Sequence, residues 1–376
     1  MKMAAINYSY AGRNLSSPGN TNLGNIADDS KTTKAVKTFV LSSLIAVAIS
    51  GNSLVIASVY RNINKRMRVA SNFLVVNLSI ADFFLAIFSL SRLIGLTYIG
   101  FEWPFGGVFG LISCKAYNFF IAFLLYVSTI NFMAIAFHRF VAVFFPLSGI
   151  MKGKLLYFVI ALTWIIPGCF FSFFWKMMNI EVRLGIRVCY ANVLAVFPSV
   201  KAFFNFLFAQ HIIVIGIPIA TTVALYAAIG VKLRQRRPPG NQQEVSVVQS
   251  ELIARRVVRM MVTVILVFCL CWSPLCIIST ICNSSKDNAV CRNPDIEFLK
   301  FVVAYSNSAI TPFVYPFFSA NFRESYKQIL RNNFCCKCGR VSPQLTSVRG
   351  TVSAHRAPVQ SFPLQGRSSN EQKLYP

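Results

Sequence analysis

Phe268-Cys269-Leu270-Cys271-Trp272-Ser273-Pro274 is an apolar run closed by a tryptophan and a proline, set inside a longer apolar stretch from Val257 to Ile281. Lipid offers no partner for backbone N–H and C=O groups, so crossing about 30 Å of hydrocarbon takes a helix of roughly 20 apolar residues. This stretch meets that length. Pro274 predicts a break in the outer half of the helix, because proline lacks an N–H and collides with the preceding turn.

Working outward, six more stretches of the same kind appear: Thr38 to Tyr60, Ser71 to Gly95, Leu111 to Phe137, Leu155 to Trp175, Val200 to Val231 and Phe298 to Phe318. The 376 residues are 55% hydrophobic and only 13% charged, too little polar surface for a soluble domain of this size. The expected fold is an all-α membrane protein, a seven-transmembrane helix bundle over residues 38–320. An amphipathic membrane-surface helix follows at 321–334, and a serine-rich tail reading as disordered at 335–376.

The net charge of +25 would suit a nucleic-acid binder, but its placement argues for a membrane instead. Arg61, Lys65, Arg66 and Arg68 follow span one, Lys152 and Lys154 follow span three, and Lys232, Arg234, Arg236, Arg237, Arg255, Arg256 and Arg259 surround the loop after span five. Basic loops mark the cytoplasmic face. The amino terminus is then outside and the tail with Arg323, Lys327, Arg331 and Lys337 inside. Residues 1–37 are polar, with no cleavable signal, and read as an extracellular tail glycosylated at Asn7 and Asn14. Asn283 is a further acceptor in the last outer loop. The same motif at Asn77-Leu78-Ser79 lies inside span two, out of reach of any transferase.

The cysteines sort by compartment. Cys114 at the outer end of span three and Cys189 in the outer loop after span four are expected to form a disulfide, and Cys282 with Cys291 is a second candidate pair. Cys169, Cys269, Cys271 and Cys276 read as packed small apolar residues. Cys335, Cys336 and Cys338 follow the amphipathic helix just inside the membrane, which suits palmitoylation. A zinc site there would lack a histidine or fourth cysteine.

Asp82 is the only carboxylate within any span, about 11 residues in and so roughly 16 Å deep. A charge there costs several kcal/mol unless paired or hydrated, which makes it a candidate functional group. Asn52, Ser128, Asn307, Ser308 and Thr311 supply further oxygens at similar depth.

Taken together, Gly51-Asn52, Asn77-Leu78-Ser79-Ile80-Ala81-Asp82, Trp103-Pro104-Phe105-Gly106 before Cys114, Arg139 and Trp164 carry a resemblance. Pro218 with Tyr226, the Phe268 to Pro274 run, and Pro312 with Tyr315 complete the set. The chain resembles a rhodopsin-like G-protein-coupled receptor over roughly residues 35 to 335. The resemblance implies that Trp272 is a rotamer switch beneath a ligand pocket, with Phe268, Pro218 and Thr129 relaying its movement. It implies an allosteric sodium site at Asp82, Ser128, Asn307 and Ser308, and no other cofactor. It makes Arg139 the residue a heterotrimeric G protein engages, with Tyr226 and Tyr315 closing over it, and Pro274 the pivot of span six.

Two departures stand out. The family places an acid before the arginine, where this chain has Phe137-His138-Arg139-Phe140, and its usual asparagine two before Phe313 is Thr311. No acid on span six replaces the missing one, with only Glu251 nearby. Amine receptors use an aspartate where Ile121 stands, and opsins a lysine where Tyr305 stands. The expected pocket comprises Arg92, Tyr117, Asn118, Ile121, Leu125, Trp272, Ser279, Phe301 and Tyr305, with Arg92 either receiving a ligand carboxylate or amide or snorkelling to the outer interface. Its texture most resembles neuropeptide receptors, with a lipid or small acidic ligand as the alternative. Arrestin and receptor kinases are implied partners through Ser342, Thr346, Ser347, Thr351, Ser353, Ser368 and Ser369. A transporter would show internal repeats, and an enzyme a constellation that His138, His211 and His355 do not make.

Overall fold

A computed structural model describes residues 29–63, 65–145, 153–183, 185–235, 244–284, 290 and 293–334. Asn7, Asn14, Cys291, Cys335, Cys336, Cys338 and the tail hydroxyls lie outside them. Span one is Lys31–Arg61, span two Ala70–Ile99, span three Gly107–Phe144 and span four Lys154–Phe171. Span five runs from Val200–His211 through a π turn, Ile212–Gly216, into Ile217–Gln235. Span six is Glu244–Ser284, span seven Pro294–Phe318, and a closing helix occupies Ala320–Phe334.

Among the described residues, six helices are long and apolar enough to cross a membrane. Span seven has the length, but Ser306, Asn307, Ser308 and Thr311 with Pro312 and Pro316 dilute its apolar run. Span six begins well before the expected Val257, since a helix need not stop where lipid does and Glu244 to Arg256 contains no glycine or proline. Span five is interrupted by the π turn, where a continuous helix was expected, and span four ends at Phe171, with Phe174–Met177 a separate short turn.

Two apolar clusters hold the bundle. One runs through spans one, two, three, six and seven to Phe322 and Tyr326 of the closing helix. The second is aromatic and lies at the outer ends of spans three, four and five, built on Tyr126, Phe171, Phe174 and Phe203. Tyr126 stacks on Phe171 at 4.4 Å. The closing helix is fastened by the Tyr326 hydroxyl, which donates to the Pro312 carbonyl at 3.1 Å. Gly51 lets span one approach span seven: a Cβ there would fall 2.9 Å from the Pro312 side chain.

The outer loop after span four folds into an antiparallel hairpin, β1 (Met178–Arg183) with β2 (Ile186–Ala191), pairing Ile180 with Cys189. Cys114 and Cys189 are disulfide-bonded, as expected, tying β2 to span three. Cys282 is also disulfide-bonded, with its expected partner outside the described residues. Of the cysteines read as packed, Cys271 is buried, but Cys169 and Cys276 are exposed. On a lipid-facing surface an apolar side chain needs no protein around it.

Candidate functional site

Span seven starts with Asn293 as N-cap, accepting from Asp295 N, and Pro294 at the first helical position. That start fixes which residues turn inward. Phe301 and Tyr305 are buried one turn apart and stack at 6.2 Å. Tyr305 meets Trp272 edge-on at 5.7 Å, Trp272 meets Phe268 at 5.9 Å, and Phe268 meets Phe132 of span three at 5.1 Å. The five rings form an unbroken ladder from the outer part of span seven, through span six beside Pro274, to the middle of span three. Phe132 is about 10 Å from Arg139 along the helix.

Phe132 joins Phe268 as a ring contact, and Thr129, which is buried, donates its hydroxyl to the Leu125 carbonyl at 2.9 Å. Pro218 is buried, and its carbonyl accepts from Thr222 at 2.6 Å.

The other expected pocket residues lie on spans two, three and six. Leu125 is buried and Ile121 and Ser279 are half-buried. Asn118 is committed to the hairpin, its Nδ2 donating to the Cys114 carbonyl at 2.8 Å and meeting Cys189 Sγ at 3.3 Å. The Arg92 guanidinium carbon lies 5.2 Å from the centroid of the Trp103 ring. Trp103 in turn touches Tyr117 at 5.7 Å and donates its backbone N–H to Arg187 O of β2 at 2.7 Å. The hairpin and the loop carrying Trp103 are thus tied to Arg92 of span two and Tyr117 of span three.

Asp82 is buried, and Ser128 Oγ donates to its Oδ1 at 2.9 Å. Its Oδ2, both polar side-chain atoms of Asn307 and the Ser308 hydroxyl are buried with no hydrogen-bond partner. Unpaired polar atoms in low dielectric are costly, about 1–3 kcal/mol each, and need a reason. Asn52 bridges spans one and seven, donating to Ala48 O and Ser308 O, both at 2.9 Å. Thr311 gives its hydroxyl proton to Asn307 O at 2.9 Å, so that donor is spent within its own helix.

At the inner end, Arg139 lies near Tyr226, and Tyr226 near Tyr315. Arg139 Nε, His138 Nδ1 and both tyrosine hydroxyls are buried without hydrogen-bond partners. Among the described residues no carboxylate is within ion-pairing distance of Arg139. Spans five and six are joined here by Arg255, donating to Leu233 O at 3.1 Å.

Sequence reasoning missed a second polar cluster. Asn77 Nδ2 donates to Asn131 Oδ1 at 2.8 Å and Thr163 Oγ1 at 2.9 Å, and Trp164 Nε1 donates to Asn77 Oδ1 at 2.7 Å. It also missed two buried cations, Lys37 and Lys300. Glu297, three residues before Lys300, was the available signal for the second.

Comparison with known proteins agrees with this geometry. The chain is 29% identical to the tachykinin-like peptides receptor 99D of Drosophila melanogaster, over 78% of its own length and 56% of the relative's. It is 25% identical to the RYamide receptor of the same species, over 82% of this chain and 66% of that one. To the human substance-K receptor it is 26% identical, over 78% and 71%. The chain therefore spans little more than half the length of the first of these relatives. Residues 51–315 match the model of the 7 transmembrane receptor (rhodopsin family), and the chain belongs to that family of membrane receptors.

Proposed function

We propose that this chain is a cell-surface receptor that binds an extracellular peptide and activates heterotrimeric G proteins, with its amino terminus outside the cell. The observation that carries this reading is the ring ladder from Phe301 to Phe132. It joins the residues beneath the hairpin to the helix that carries Arg139. A ligand touching Phe301 or Tyr305 need only favour one setting of Trp272 for its binding energy to bias the helix arrangement. Pro274 supplies the weak point at which span six can swing, and Arg139 is the group a G protein would meet. The neuropeptide receptors among its relatives support a peptide as ligand class.

The buried oxygens of Asp82, Ser128, Asn307 and Ser308 fit a small monovalent cation, since a hard cation takes oxygen ligands and would satisfy atoms that no protein donor reaches. Bound there, sodium would supply the positive charge that balances Asp82. Receptor kinases and arrestin acting on the tail, and palmitates on Cys335, Cys336 and Cys338, belong to the same reading.

The test is nucleotide exchange on a purified G protein, with the receptor in nanodiscs and pooled synthetic neuropeptides as ligand. Peptide-stimulated exchange that is lost in Trp272→Ala supports the proposal. Substrate flux or turnover without any exchange would contradict it.

A further inference from the structure

Among the described residues, Lys37 and Lys300 are the buried cations of the bundle's outer half, and the chain provides a counter-ion for each. Lys37 of span one lies 2.9 Å from both Asp29 and Asp295. Lys300 of span seven, sealed from solvent, is ion-paired with Glu297 one turn earlier. Arg92 of span two, half-buried beneath the hairpin, has no carboxylate within ion-pairing distance among the described residues. The other described outer acids are committed elsewhere, Glu102 facing Arg187 at 3.7 Å and Glu181 facing Arg183 at 2.7 Å.

Arg92 has a platform in place of a counter-ion. Trp103 is held by the backbone bond to Arg187, by its Nε1 donating to Ser113 Oγ at 3.1 Å, and by the Tyr117 ring. A guanidinium set against an aromatic face keeps its planar fork of N–H donors free, and that fork matches both oxygens of a carboxylate. Partial burial also thins the water that would screen the pair. Arg92 stands about 15 Å outward of Asp82 along span two, at the height of the pocket rather than the cation cluster.

We infer that Arg92 is the anchor for a carboxylate on the ligand. This rests on the peptide-receptor reading above, and within it the carboxylate is the free C-terminus or an acidic side chain of the peptide.

The test uses synthetic peptides made in matched forms: free acid, C-terminal amide, and each acidic side chain replaced by its amide. Straight-chain fatty acids form a separate arm. Cells bearing wild type, Arg92→Gln or Arg92→Lys at equal surface level are read by G-protein dissociation. We expect one carboxylate to be worth at least about tenfold in potency on wild type, the advantage to vanish in Arg92→Gln, and part of it to survive in Arg92→Lys. Equal potency of carboxylate and amide on wild type, or an advantage that persists in Arg92→Gln, overturns the assignment. A response to fatty acids alone that is lost in Arg92→Gln keeps Arg92 as the anchor and removes the peptide reading.

A second measurement needs no agonist. Purified wild type is melted with N-acetylphenylalanine or its amide. A larger rise in unfolding temperature with the acid, absent in Arg92→Gln, is the expected result, and equal shifts overturn the proposal.

Discussion

Span two carries two buried polar clusters about one and a half turns apart, built from the same kinds of residue and finished differently. On the side facing spans three and four, Asn77, Asn131, Thr163 and Trp164 leave no side-chain polar atom without a partner; Asn131 and Thr163 spend their remaining donors on Val127 O and Ile160 O at 2.8 and 2.7 Å. On the side facing spans three and seven, Asp82 keeps one bond, to Ser128, while Asn307 and Ser308 make none with their side chains. A satisfied network has one arrangement and stiffens the helices that share it. An unsatisfied one costs stability, and is retained where something else completes it or where the helices must rearrange.

The orphaned atoms follow that second logic along the whole molecule. Trp272 Nε1, the Tyr226 and Tyr315 hydroxyls, Arg139 Nε and His138 Nδ1 are buried and unpartnered, and all lie on residues the sequence marks as switch elements. Ser58, Ser79, Gln210, Ser325 and Gln328 carry orphaned atoms too, with no such role. We read the closed cluster as scaffold and the open line as the moving part.

The comparison breaks most easily at Asn77. Asn77→Ala strands the Trp164 N–H and the Asn131 carbonyl at once, for a loss of about 2–4 kcal/mol. Surface delivery should fall steeply and the purified variant unfold at lower temperature. Normal delivery and an unchanged melting curve would show that the closed cluster is not scaffold.

At the inner end the contrast predicts function rather than stability. His138 gives Arg139 no anionic partner, and no described carboxylate replaces it, so part of the resting-state restraint is missing. Appreciable signalling without ligand is expected, and His138→Asp should lower it about tenfold, equivalent to about 1.4 kcal/mol, at matched surface expression. A silent wild type unaltered by His138→Asp would mean that other contacts hold the resting state.

Trp164→Phe sharpens the contrast on a smaller scale. It removes only the bond to Asn77 and keeps most of the ring packing, including the contact with Phe123 at 5.6 Å, so about 1 kcal/mol of stability is at stake. Basal signalling should not change. A change in signalling without loss of stability would move Trp164 to the other side of the comparison.

Much of this was legible in the sequence, for identifiable reasons. An acid in an apolar span is conspicuous, so Asp82 announced its cluster. Apolar length announced the bundle, whereas the break expected at Pro274 does not appear, since the helix runs without interruption from Glu244 to Ser284. Asn77 did not stand out, because a neutral amide in a span is unremarkable until its partners on two other helices are known, and its surroundings mimic a glycosylation motif. Lys37 was hidden for the same reason: Asp295 is 258 residues away in sequence and meets it only in the folded bundle. The hairpin escaped notice because its six-residue strands pair across a tight turn in a loop read only for its cysteine. Hydropathy also ends span six at the membrane edge, where the helix itself continues.

We propose that the open cluster around Asp82 is unfinished because a cation completes it. The direct measurement is thermal unfolding of the purified protein in sodium chloride against choline chloride at constant ionic strength, for wild type and Asp82→Asn. Ligand binding to the folded state alone raises stability by RT ln(1 + [L]/Kd), about 0.4 kcal/mol when sodium equals its dissociation constant and more above it. The account predicts a sodium-dependent rise in unfolding temperature for wild type that Asp82→Asn lacks. A wild type indifferent to sodium, or an equal rise in both proteins, would contradict it.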